Sequence, residues 1–82
     1  MAGRIVVAGA GAVGASIAYH LALLGASDVN RVEATTDVEN YPEQRSLEKA
    51  GFVREGVARG SQWRGGAFHD MVTYSRLRTD RD

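Results

Sequence analysis

The sequence predicts an α/β fold, a small β-α-β-α-β-β domain whose mixed sheet begins with a Rossmann-like parallel βαβ start and ends in an antiparallel C-terminal hairpin. Three observations predict it. The β-branched run "RIVVA" at 4–8 leads straight into the glycine-rich turn "GAGAVG" at 9–14. An apolar period of three and four residues follows that turn, and near the C-terminus two strand-like stretches flank the glycine-bearing segment "GSQWRGG" at 60–66.

Each element has its own signal. Ile5, Val6 and Val7 read as a short buried strand that stops at the glycines. Val13, Ile17, Leu21 and Leu24 then recur on one face of a helix predicted over 12–24, with Gly25 as its C-terminal stop. A second strand is predicted over 29–36, where Val29, Arg31 and Glu33 alternate with Val32 and Ala34, and a strand, helix, strand unit of this length makes the two strands parallel.

"NYPEQRSLEKAGF" at 40–52 reads as a brief helix. Pro42 suits the first turn, Glu43 the positive end of the helix dipole, Lys49 the negative end and Gly51 the exit. Leu47 and Ala50 are expected to face the core, and Phe52 sits where a glycine C-cap often receives an apolar contact. Strands over 52–59 and 67–77 follow, with 60–66 as a reversing loop and Trp63 expected to pack over the sheet. "RTDRD" at 78–82 reads as a solvated tail. The whole is expected to be one domain.

Composition excludes several function classes. The 82 residues hold no cysteine, so disulfides, thiolate catalysis and thiolate metal sites are out. Ten basic and ten acidic side chains cancel, which argues against a nucleic-acid or membrane partner, although nine of the ten basic residues are arginine. The apolar N-terminus invites comparison with a secretory signal, but Gly9, Gly11 and Gly14 break such a helix and Tyr19 and His20 interrupt a membrane span. Nothing assigns a compartment. His69 and Asp70 are neighbours in a strand and point to opposite faces, and His20 lies far away in sequence, so no metal site is expected. Ser46, Ser61 and Ser75 lack the spacing of a nucleophile with its base.

The charge is uneven. Residues 1–30 carry only Arg4 and Asp28, whereas 31–82 carry nine basic and nine acidic side chains. That break coincides with two different resemblances. Gly9, Gly11 and Gly14 satisfy GxGxxG between a predicted strand and a predicted helix, where glycines permit a tight turn, close approach to a pyrophosphate and close helix packing; Glu33, nineteen residues beyond Gly14, is placed to meet a ribose. Residues 4–29, with "VVAGAGAVGASIAYHLALLGASDV", resemble the opening of FAD-dependent amine and amino-acid oxidoreductases. The resemblance implies FAD binding through these glycines and Glu33.

Residues 30–80 are instead similar to the C-terminal part of GNAT-type acyl-CoA N-acyltransferases, nearest the ribosomal-protein branch. The informative pieces are Asn40, "LEKAGF" at 47–52, "REG" at 54–56, and Asp70 with Tyr74. The resemblance implies that Asn40 touches the pantetheine of acetyl-CoA and that the strands lie in the spatial order 1-2-4-3. It also shows departures: Leu47 stands where many such enzymes have a tyrosine general acid, and Glu43 where this branch often has serine.

Two resemblances meeting near 29–33 lead to the expectation of an engineered chimera of two enzyme families with no catalytic residues and no resident cofactor. The alternatives are a nucleotide-binding module that holds FAD, NAD or coenzyme A weakly through Gly9, Gly11, Gly14, Glu33 and Asn40, and an acyl-CoA N-acyltransferase. So small a core also favours self-association, and a homodimer through the exposed sheet edge at Ile5–Ala8 is expected.

Overall fold

A computed structural model describes residues 4–8, 11, 14, 15, 17, 19, 20 and 29–80, with only the backbone described at 4–8. Four strands form one sheet: β1 (Arg4–Ala8), β2 (Val29–Asp37), β3 (Val53–Arg64) and β4 (Ala67–Leu77). Their order is β1-β2-β4-β3. β1 runs parallel to β2 with Val7 opposite Glu33, β4 runs antiparallel to β2 with Ala34 opposite Tyr74, and β3 closes the sheet antiparallel to β4. One helix, α1 (Tyr41–Lys49), links β2 to β3, and residues 11, 14, 15, 17, 19 and 20 are helical as well.

The core lies on one face of this sheet. Side chains alternate along a strand, so Val32, Ala34 and Thr36 of β2 share a face with Val72, Tyr74 and Arg76 of β4 through the register that pairs them. Val32, Ala34, Val72 and Tyr74 are buried there together with Leu47 of α1, Phe52, Ala15 and Tyr19. Tyr19 reaches across the end of the sheet, its hydroxyl donating to the carbonyls of Asp80 (3.0 Å) and Leu77 (3.3 Å), while the Arg76 guanidinium lies 4.1 Å above its ring.

That face corrects one expectation. Ile17, predicted to point inward, is 55% exposed, and Ala15 and Tyr19, four residues apart, are the ones that pack. A small alanine allows close approach to the strands and the longer tyrosine brings its hydroxyl to backbone carbonyls. Val13, Leu21, Leu24 and Gly25 lie outside the described residues.

The end of α1 follows its sequence closely. The amide of Phe52 donates to the Leu47 carbonyl and that of Gly51 to the Glu48 carbonyl, both at 3.0 Å, the paired bonds of a Schellman cap. Gly51 has φ 87°, and a Cβ on it would lie 2.6 Å from the Arg76 guanidinium, which itself donates to the Ala50 carbonyl. The left-handed backbone therefore favours glycine at 51, and a side chain there would also have to displace the Arg76 guanidinium.

The hairpin departs from expectation. β3 runs on through Gly60, Ser61, Gln62, Trp63 and Arg64, so only Gly65 and Gly66 turn the chain, with φ 60° and 83°. Two positive φ values in a two-residue turn are the type I′ signature. Gly60 serves a bulge instead: the register slips between Ala58 and Gln62, and the Asp70 carboxylate accepts from the Gly60 amide at 2.7 Å. Trp63 does not pack over the sheet; it is 63% exposed and meets Phe68 edge-on at 4.8 Å.

Candidate functional site

The parallel pair places the carboxyl ends of β1 and β2 at the same end of the sheet, the position where α/β proteins hold ligands. Gly11 follows β1 there and the start of α1 follows β2. Asn40 caps α1 by accepting the Glu43 amide on its Oδ1 at 3.2 Å, which leaves the amide hydrogens of its side chain for other contacts. Gln44 ties this turn to the strand end by donating to the carbonyls of Val38 (2.8 Å) and Asp37 (3.3 Å). Gly11 has φ 73°, and a Cβ on it would lie 2.8 Å from Oε1 of Glu43. Gly11 and the amino end of α1 are therefore in contact.

The predicted site residues separate accordingly. Gly11 and, through Glu43, the cap at Asn40 come together, and Gly14 is half-buried in the helical stretch. Gly9 lies outside the described residues. Glu33 sits in the middle of β2, about 13 Å of strand from Asp37. Its Oε1 accepts from Arg31 Nη2 at 2.9 Å and Nε at 3.3 Å, so this carboxylate serves an arginine of its own strand. Leu47, at the place of the family's tyrosine acid, is buried in the core. Tyr74 is buried too; its hydroxyl donates to Glu48 at 2.9 Å, and burial followed by that carboxylate raises its pKa.

Two clusters on the opposite face were not legible in the sequence. Arg31 forms a two-pronged pair with Glu55, which also accepts from the Ser75 hydroxyl at 2.7 Å. The Arg31 bonds, then that of Ser75, lower the Glu55 carboxyl to a pKa of about 2, and the bonds to Glu55, then to Glu33, raise the Arg31 guanidinium above its ordinary value. Nearer the hairpin tip, Asp37 accepts from the Glu39 amide at 2.8 Å and from Arg64, and its carboxylate lies 2.9 Å from His69 Nδ1. The Glu39 amide is the main reason that the Asp37 carboxyl lies below its usual range, with Arg64 and His69 adding to it. Only strand register brings 31, 55 and 75, or 37, 64 and 69, to one face, and that register depends on bulges. Among the described residues no group of three or more His, Asp or Glu is arranged to hold a metal ion, and no helix is long and apolar enough to cross a membrane.

No family profile matches the chain, and no curated protein does. Solved structures do match. A probable acetyltransferase superposes with a TM-score of 0.74 at 28% identity, over 85% of this chain and 39% of its own. A GNAT-family acetyltransferase from Bacillus anthracis gives 0.68 at 27% identity, over 80% of this chain and 39% of its own. The fold resembles a partial GNAT acetyltransferase. A third structure, RimL, a ribosomal L7/L12 alpha-N-protein acetyltransferase in complex with coenzyme A, shares the fold with a TM-score of 0.64 at 24% identity, over 74% of this chain and 33% of its own.

This chain spans about two fifths of the length of the first two of these structures. The likeness covers more of it than residues 30–80 alone, so it does not divide the chain near residue 29. It gives the FAD-type reading of residues 4–29, and the chimera built on it, no support.

Proposed function

We propose that the chain is the coenzyme A-holding part of a GNAT-type acyl-CoA N-acyltransferase. One observation carries this reading: in a fold resembling part of a GNAT acetyltransferase, Gly11 after β1 and the Asn40-capped end of α1 meet at the carboxyl ends of two parallel strands. Backbone amides near Gly11 and Gly14 and at the start of α1 suit the phosphates of coenzyme A, and Asn40 suits its pantetheine amides. Coenzyme A, when bound, supplies the thioester from which an acyl group is transferred to an amine.

This chain is proposed to hold the cofactor and to leave acyl transfer to further protein. The tyrosine acid of the family is replaced by Leu47, and Leu47 is buried. The sheet edge at β1 is where a second copy would pair, and a monomer at high concentration in sedimentation velocity overturns that part.

The deciding experiment is an amide NMR titration with coenzyme A and, separately, FAD. Saturable shifts confined to Gly11, Gly14 and Asn40 with coenzyme A support the proposal. A spectrum unchanged by coenzyme A, or a response to FAD at lower concentration, overturns it.

A further inference from the structure

The residue closest to the place a Cβ would take on Gly11 belongs to the protein itself. Both carboxylate oxygens of Glu43 face that point, Oε1 at 2.8 Å and Oε2 at 3.3 Å. Gly11 is the second glycine of the motif, the one whose missing side chain lets a pyrophosphate come close to the backbone. The half-buried Glu43 carboxylate lies in that approach.

The cap of α1 shows why it reaches there. With Asn40 as N-cap, Glu43 stands at the third helical position, where a capping box turns a glutamate back onto the N-cap amide. Here the Asn40 amide donates to the Asp37 carbonyl at 2.9 Å, and the Glu43 carboxylate extends to Gly11. Its position is fixed from behind, because the Glu43 amide is held by Asn40 Oδ1. A carboxylate and a phosphate seek the same kind of donor and repel each other, so the two do not share a cradle without cost.

We infer that Glu43 is a specificity-determining residue, an internal carboxylate that competes with ligand phosphate for the position at Gly11. The inference rests on the coenzyme A reading above. It makes phosphate entry conditional on moving one side chain. A purely structural Glu43, pinning α1 to the helical stretch at Gly11, leads to the opposite expectation: its removal loosens the site and weakens binding.

The test compares the unaltered protein with Glu43→Gln, which keeps size and the α1 cap but removes the charge, and with Glu43→Ser, which clears the space. Each is titrated with coenzyme A, with pantetheine and with inorganic pyrophosphate, by calorimetry and by the Gly11 amide shift. Coenzyme A is expected to bind Glu43→Gln about fivefold to tenfold more tightly, with the gain shrinking at high salt and pantetheine affinity unchanged. Equal or weaker coenzyme A binding by both variants overturns the role of Glu43 while leaving the coenzyme A reading intact. If coenzyme A binds none of the three proteins but pyrophosphate moves Gly11 only in the variants, the coenzyme A reading fails and the competing carboxylate stands. No response to any ligand in any of the three overturns both.

Discussion

The two faces of the sheet solve the problem of a small domain in different ways. One face gathers Val32, Ala34, Val72 and Tyr74 under Ala15, Tyr19, Leu47 and Phe52, a continuous apolar cluster. The other carries Arg31 paired with Glu33 of its own strand and with Glu55 of β3, and Asp37 paired with Arg64, with His69 beside it. Apolar area removed from water stabilises by about 25 cal/mol per Å², whereas exposed ion pairs contribute about 0–1 kcal/mol each. Stability therefore belongs to the helix-covered face, and the opposite face chiefly avoids leaving charge unmatched.

The largest effect that breaks this contrast is Tyr74→Ala. Tyr74 is fully buried and donates to Glu48, so its loss leaves a cavity and is expected to cost about 3–5 kcal/mol, much of the ~5–15 kcal/mol that holds a typical domain together. Urea unfolding followed by circular dichroism checks it. Tyr74→Phe keeps the ring and loses only the hydrogen bond, an expected cost of about 0.5–1.5 kcal/mol.

Gly51→Ala comes next, at about 1–3 kcal/mol, because the residue has φ 87° and its Cβ would strike the Arg76 guanidinium. Gly60→Ala sharpens the reading. Gly60 also has positive φ, yet a Cβ there meets nothing within 4 Å, so only the backbone cost of about 1 kcal/mol is expected. The difference between the two midpoints measures the Arg76 contact that closes the core beneath α1.

Local signals made the covered face readable. Pro42, Lys49, Gly51 and Phe52 each act within one helical turn of their own position, so α1 and its Schellman cap followed from sequence, and the 1-2-4-3 order expected from the GNAT resemblance is the one observed. The open face was hidden because its residues meet only through pairing register. The bulge near Gly60, which a reader of "GSQWRGG" takes for a loop, lets β3 run on to Arg64 and bring it to Asp37. Ile17 was misplaced because an apolar period names a face without saying whether a small or a large residue makes the approach. At the candidate site the glycine motif was legible, and the carboxylate lying against it was not, since 11 and 43 are joined only by tertiary packing.

On the open face the expected effects are smaller and depend on pH. Glu55 has a folded pKa of about 2 against an ordinary value of 4.5, so the folded state favours its charged form. Its contribution is complete above pH 4.5 and is lost as the pH falls from there towards 2. Glu55→Gln is expected to lower stability by less than about 1 kcal/mol near neutrality, because the pair is partly exposed to solvent, and to match the unaltered protein near pH 2. Urea midpoints taken across that range test the sign: a deficit that grows on acidification contradicts the assignment to Arg31.

The smallest expected effect is at the hairpin tip. Trp63 and Phe68 touch edge-on at 4.8 Å, an arrangement that adds about 0.5–1.5 kcal/mol where it is buried. Here the two residues are 63% and 68% exposed, so little apolar area leaves water when they meet. Trp63→Ala is expected to change stability by no more than about 0.5 kcal/mol. As Trp63 is the sole tryptophan, the unaltered protein should also emit at the wavelength of a solvated indole. A blue-shifted emission at high protein concentration, with a loss above about 1 kcal/mol in Trp63→Ala, would show the tip packed against a second copy, and would move part of the stability away from the helix-covered face.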